Sequence, residues 1–263
     1  MRALQLSPTS IKTYTRCPYA YGLDKIARSP RYRRVIAPEL HTGRSVHTVL
    51  EHLVRQPEVS RADAERSLDE TFAWHVYDDP TTAQAAYQTA RERLSDWVNF
   101  PYGWGDGQTL AVEKLLRTPS RDGLVLLGKP DLVREHPNGS LEVVDHKSGR
   151  FVPTLAELKM DYQAGIYRLL AEQHWPGYPH YQVSFSYLAT GAVVPVAYTP
   201  SEIEHWWTVL SRIGERIGRA RASVVEGDIP LPEAFPPQPG EQCERCPFRK
   251  VCTFSDAHRR NED

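Results

Sequence analysis

No stretch of this chain stays apolar for the roughly 18 residues that a membrane helix requires, which excludes a helical membrane protein. The opening residues, Met1 to Ser10, lack the apolar core of a secretory signal, so a soluble cytoplasmic protein is the expectation. Cysteine is scarce. Its four copies are placed lopsidedly, Cys17 near the start and Cys243, Cys246 and Cys252 crowded at the end, which does not suit a secreted disulfide framework. Charge of one sign is also missing in excess. With a formal net charge of -1, the molecule is no uniformly basic polyanion binder, and a phosphate-binding groove has to come from local clustering. The dense basic run is Arg28, Arg31, Arg33 and Arg34 beside Tyr32, which reads equally as a solvated loop or as a phosphate contact. There is no G-x4-G-K-[ST] loop and no internal repeat, so neither a nucleotide-driven motor nor a solenoid is indicated.

What remains is a 263-residue chain, 40% hydrophobic and 25% charged, enough for one substantial core or a core plus a small appendage. Ser7 and Pro8 predict the cap and first position of a short helix that ends at Cys17-Pro18. Val46, Val49, Leu50 and Leu53 recur at helical spacing from Gly43 to about Arg55, with His47 on a neighbouring face. Two more helices are expected, Arg61 to Tyr77 and Thr81 to Asn99, before a break rich in Pro and Gly. Thr109 to Arg117, Gly123 to Arg134 and Ser140 to His146 then read as an antiparallel meander. A helix over Met160 to Trp175, strands at Tyr181 to Leu188 and Val193 to Tyr198, and a long helix from Ser201 to about Glu226 follow. A proline-rich irregular linker leads to the last cysteines.

The meander carries charges that buried-looking strands rarely hold without a reason: Gly128-Lys129-Pro130-Asp131 in one segment and Asp145-His146-Lys147 in the next. Adjacent strands bring Asp131 and Asp145 close enough to share a hard divalent cation through oxygen ligands, as Mg²⁺ or Mn²⁺ requires. Lys147 stands two residues after Asp145, on the same face of a strand. A metal, a carboxylate pair and an ammonium suit phosphodiester hydrolysis. The bland alternative is a pair of strand-ending aspartates matched to surface lysines.

Asp131 followed by Asp145-His146-Lys147 about one hairpin later resembles the PD-(D/E)XK nuclease signature, in its RecB-like branch. The resemblance extends to His47 in a helix before the sheet, Glu113 in the first core strand, and Gln163 with Tyr167 in the helix after the hairpin. It implies an α/β (α+β) fold with a restriction-endonuclease-like core, a mixed central sheet flanked by helices. It also implies metal ligation by His47, Asp131, Asp145 and the backbone carbonyl of His146, a catalytic Lys147, and Gln163 and Tyr167 arranging the site or the DNA. Glu113 supports Lys147, binds a second metal or pairs with an arginine; the residues leave these open.

Cys243, Cys246 and Cys252 with the remote Cys17 supply four thiolates, which suit a tetrahedral zinc site or an iron-sulfur cluster, and spacing does not decide between them. The cluster-bearing RecB-like nucleases, AddB nuclease domains and CRISPR adaptation nucleases among them, place one cysteine before the domain and three after it around a [4Fe-4S] cluster. The resemblance therefore implies a cluster joining the N- and C-terminal segments, with structural Zn²⁺ as the alternative. The organisation expected is an N-terminal segment at 1–42 carrying Cys17, a helical region at 43–108 carrying His47, the nuclease core at 109–226 and the cysteine-bearing end at 227–263. By resemblance the substrate is DNA, single-stranded or with single-stranded ends, and the setting recombination, repair or CRISPR adaptation, with a helicase, recombinase or CRISPR integrase as partner. The competing readings are a DNA-end binding module that does not cleave or needs a partner to do so, and a zinc-stabilised scaffold.

Overall fold

A computed structural model describes residues 3–28, 38–56, 58–99, 102, 107–119, 121–227 and 229–255; the basic residues Arg31, Arg33 and Arg34 lie outside this range. The chain forms two compact units, one from Met1–Ala37, Pro119–Leu126 and Glu204–Asp263, the other from Pro38–Thr118 and Leu127–Ile203.

The second unit is built on a five-stranded sheet. Its strands are β2 (Gln108–Val112), β5 (Leu132–Glu135), β6 (Leu141–Lys147), β7 (Tyr181–Tyr187) and β8 (Ala192–Ala197), in that spatial order. β6 is antiparallel to β5 and parallel to β7, so the sheet is mixed, and the crossover between the parallel pair holds α6 (Leu155–Lys159) and α7 (Tyr162–His174). The fold class is therefore the expected α/β one. β6 is central, and its buried Leu141, Val143 and Val144 make it apolar on both faces. The β5–β6 turn closes through Asn138, whose side chain accepts the Ser140 N–H at 3.0 Å, and Gly139, whose φ of 75° favours a residue without Cβ.

Three helices precede the sheet: α3 (Pro38–Leu53), α4 (Arg61–Thr71) and α5 (Pro80–Asn99). They share one apolar core of Val46, Val49, Leu50, Leu53, Ala64, Leu68, Ala90, Leu94 and Trp97, the face that the sequence periodicity picks out in α3. Ser60 and Asp63 form a reciprocal capping box at the start of α4. That helix stops at Thr71 rather than Tyr77. Phe72 is extended there, and its ring packs with those of Trp74, Tyr77 and Tyr87, aromatic burial that a continued helix would forfeit.

The meander is the main departure from expectation. Thr109 to Arg117 divides into β2 and β3 (Leu116–Arg117), and Gly123 to Arg134 divides into β4 (Leu124–Gly128) and β5. Pro130 has no N–H to give a ladder, and Gly128 passes so close to α7 that an added Cβ would stand 2.5 Å from Leu170 Cδ1. The chain turns at this Gly-Lys-Pro-Asp corner, and Asp131 sits in the bend rather than within a strand.

In the first unit, β1 (Leu4–Leu6) runs parallel to residues 124–126. It leads into α1 (Pro8–Arg16), capped by Ser7 with Pro8 in its first turn as expected, and then α2 (Pro18–Gly22). The unit also holds α8 (Pro200–Val225) from Glu204 onward. The proline-rich stretch after it contains one short helix, α9 (Leu231–Ala234). Trp206 and Trp207 are buried, which fits a packing role for both.

Candidate active site

Every residue of the expected nuclease constellation falls in the second unit, brought in by five separate elements. The β2–β5 register pairs Val112 with Leu132, so the residues just beyond, Glu113 and Asp131, meet, and the Glu113 N–H donates to the Asp131 carbonyl at 2.9 Å. The β5–β6 register pairs Leu132 with Val144, which sets Asp131 beside Asp145. The His146 N–H donates to Asp131 Oδ2 at 2.5 Å and fixes that carboxylate across the ladder. His47 enters from α3 with Nδ1 2.8 Å from Asp131 Oδ1 and 4.0 Å from Glu113 Oε1. One ligand atom from each of His47, Glu113 and Asp131 lies within 4.8 Å of the other two, the one such grouping of three among the described residues.

Asp145 and Lys147 leave the same face of β6, as their spacing demands, with Lys147 Nζ 2.6 Å from Asp145 Oδ2. α7 begins at Asp161, whose carboxylate accepts the Gln163 N–H at 2.7 Å, and this cap aims the first turn at the site. The Gln163 amide then bridges the pair: its Nε2 donates to Asp145 Oδ1 at 2.7 Å and its Oε1 accepts from Lys147 at 2.7 Å. Tyr167, one turn on, accepts from Gln163 at 3.0 Å and has the Lys129 carbonyl at 3.0 Å and Asp145 Oδ1 at 3.3 Å as acceptors.

The electrostatics are those of crowded, buried carboxylates awaiting positive charge. Burial raises the pKa of Asp145, with the Lys147 ammonium opposing it. Burial also raises Glu113, and the nearby Asp131 adds to the effect. Asp131 goes the other way: burial is outweighed by His47 and by the His146 N–H, which hold its carboxyl well below the usual range. Burial works against a proton on His47, yet Asp131, Asp145 and Glu113 together raise it to about 9. In this state the His47 proton, Lys129 and Lys147 neutralise the cluster.

Lys129 was quoted in the sequence motif without a role. Its Nζ lies 2.5 Å from Glu113 Oε2, so the cation paired with Glu113 is a lysine from the Gly-Lys-Pro-Asp corner rather than an arginine. The signal was its position two residues before Asp131, but only the corner's fold aims it at Glu113. The His146 side chain leaves the opposite face of β6 to pack edge-on against Trp97 at 6.2 Å between ring centroids, with both ring nitrogens buried and without partners. Burial lowers its pKa to about 4, so the ring stays neutral.

That opposite face also carries a polar network that sequence reading passed over. Glu142 is fully buried; its carboxylate accepts from Arg134 Nε at 2.7 Å, Tyr102 at 2.7 Å, Gln182 at 2.9 Å and Ser184, and meets His136 Nε2 at 2.9 Å. It ties β5, β6 and β7 together directly behind the acidic residues.

The site fits a hard divalent cation. His47, Glu113 and Asp131 present one nitrogen and carboxylate oxygens, donors that suit Mg²⁺ or Mn²⁺. Asp145 Oδ2 is buried, and no donor meets it at hydrogen-bonding angles, Lys147 approaching only as an ion pair. A cation bound there would polarise a phosphodiester and acidify a water. Lys147, held by Asp145 and Gln163, is positioned to steady developing negative charge, and Gln163 and Tyr167 fix the orientation of Asp145.

The four cysteines all belong to the first unit. Cys17 sits between α1 and α2, and Cys17, Cys243, Cys246 and Cys252 line one small pocket with Arg16, Tyr19 and Phe248. All four are free thiols. Burial raises the pKa of Cys246 and Cys252, and the neighbouring thiols add to it. Among the described residues no three of the four sulfurs come within 4.8 Å of one another. A tetrahedral zinc with bonds near 2.3 Å needs its sulfurs about 3.8 Å apart.

Comparison with known proteins agrees with this geometry. Residues 5–253 match the profile of the PD-(D/E)XK nuclease superfamily. Among solved structures, the chain is similar to a "Putative exonuclease" from Eubacterium rectale at 14% identity and TM-score 0.53, over 98% of this chain and 88% of that one, which shows a shared fold. A second solved chain, SSO0001, aligns at 16% identity over 81% of this chain and 94% of its own, with a TM-score of 0.34. No protein of curated function matches the sequence. The match runs from β1 to the last cysteine and takes in the acidic site on the sheet: the chain belongs to the PD-(D/E)XK nuclease superfamily.

Proposed function

We propose that this protein is a divalent-metal-dependent deoxyribonuclease. It is an exonuclease or end-processing enzyme that acts in the cytoplasm on single-stranded DNA or DNA ends, in recombination, repair or CRISPR adaptation, beside a helicase, recombinase or integrase partner. The observation that carries this reading is the convergence of His47, Glu113 and Asp131 next to the Asp145–Lys147 pair. In it, His47, Asp131, Asp145 and the His146 carbonyl hold Mg²⁺ or Mn²⁺, and Lys147 is catalytic. Glu113, tethered by Lys129, completes the metal site or holds a second ion. The test is cleavage of end-labelled single- and double-stranded DNA with Mg²⁺ or Mn²⁺, by wild type, Asp145→Ala and Lys147→Ala. Metal-dependent cleavage lost in both variants supports it and reveals polarity. A folded wild type that binds DNA ends but cuts nothing favours the non-cleaving module instead.

The four cysteines are proposed to hold a [4Fe-4S] cluster. The support is their common pocket and a sulfur spacing wider than zinc accepts. Anaerobic purification followed by iron, sulfide and zinc analysis decides it: stoichiometric zinc without iron would assign a structural zinc site.

A further inference from the structure

The near-zero net charge of the chain conceals a division between its two units. The unit that carries the acidic site has 14 Lys and Arg against 21 Asp and Glu, whereas the other has 18 against 12. A polyanionic substrate is therefore repelled by the unit proposed to cut it, and its affinity has to come from elsewhere. On α8 the residues Leu210, Ile213 and Ile217 are buried, while Arg212, Arg216 and Arg219, at i, i+4 and i+7, are exposed. These three share one face of the helix, with the exposed His205 two turns before them on the same side. They span about 10 Å of helix axis at 1.5 Å per residue. Among the described residues none of the three guanidinium groups has an ion-pair partner, unlike Arg55, Arg61 and Arg66 of the acidic unit, each held by a carboxylate.

We infer that the Arg212–Arg216–Arg219 face of α8 is a nucleic-acid backbone surface, which supplies the phosphate contacts that the acidic unit lacks. This rests on the nuclease reading and deepens it by naming where the substrate is held. Unpaired guanidinium groups on a rigid helix neutralise phosphates without first breaking internal ion pairs, and each contact releases counterions. The surface reads charge rather than sequence, so binding through it is insensitive to base composition.

The experiment is fluorescence anisotropy of the full chain with a labelled single-stranded oligonucleotide in EDTA, across a salt series. Three triple variants join wild type: Arg212, Arg216 and Arg219 all to Gln, the same three to Lys, and Arg55, Arg61 and Arg66 to Gln as a charge-matched control. The slope of log K against log salt is expected to fall by about 2 to 3 in the α8 glutamine variant, at 0.7 to 0.9 per lost contact. The lysine variant should restore it and the control should keep it. An unchanged slope in the α8 glutamine variant, or an equal loss in the control, overturns the proposal. Mn²⁺-dependent cleavage by wild type, run in parallel, separates the two ideas. Cleavage with an unchanged α8 slope leaves the nuclease reading intact and removes this surface; salt-dependent α8 binding without cleavage does the reverse.

Discussion

The proton on His47 makes metal binding depend on pH in a way that can be worked out in advance. Without metal, the three surrounding carboxylates raise the His47 pKa to about 9, so the ring is protonated at neutral pH. A metal ligand must be neutral, hence Mn²⁺ has to displace that proton. The folded value lies above the unfolded 6.5, so affinity falls as pH drops below 9, about tenfold per unit. Between pH 8.5 and 6.5 the loss is about one hundredfold, or roughly 2.7 kcal/mol at 1.36 kcal/mol per unit. The stability of the metal-free protein must move oppositely. The His47–Asp131 pair contributes fully below pH 6.5 and is lost as pH rises through about 9, an effect of roughly 2 kcal/mol after solvent screening of a side chain that remains 30% exposed. Isothermal titration of Mn²⁺ in two buffers of different ionisation enthalpy counts the released protons. Wild type should release about one more proton at pH 7 than His47→Asn, whose affinity should be the flatter with pH. Equal proton release by the two proteins, or a wild-type affinity constant from pH 6.5 to 8.5, would refute the reasoning.

Other expectations follow from the same contacts. Gln163→Ala removes the bridge between Asp145 and Lys147 and should lower kcat by about 10- to 100-fold in the cleavage assay, with the fold intact by circular dichroism. Glu142→Ala strands the buried Arg134 and should cost roughly 3 to 5 kcal/mol in urea unfolding, and a loss under 1 kcal/mol would show the network to be dispensable. His146 is buried neutral with a pKa lowered to about 4, so its contribution is complete above pH 6.5 and declines toward pH 4, by roughly 3 kcal/mol. His146→Leu should flatten that acid limb of the stability curve. Gly128→Ala drives a methyl toward Leu170 and Tyr167 and should destabilise by about 1 to 3 kcal/mol, with activity falling further than stability as Tyr167 shifts off Asp145.

Much of the site could be read from local pattern because strand and helix periods are local. Asp145 and Lys147 share a face because a strand alternates, and Gln163 and Tyr167 share one because a helix repeats near every fourth residue. The apolar stripe of α3 and the Ser7-Pro8 helix start are likewise properties of a few consecutive residues. Register and breaks are not local. That Thr109 to Arg117 and Gly123 to Arg134 each divide into two strands follows from the close approach of Gly128 to α7, a contact with residues some forty positions later. The partnership of Lys129 with Glu113, the proton held on His47 and the Glu142 network depend on which buried charges the sheet register brings together. Burial is what gives those charges their energies, and burial belongs to the folded chain alone. The sequence by itself determined the residue types, their faces and the superfamily. The tertiary structure decided which carboxylate meets which cation, and how the charge of a nearly neutral chain divides between an acidic unit and a basic one.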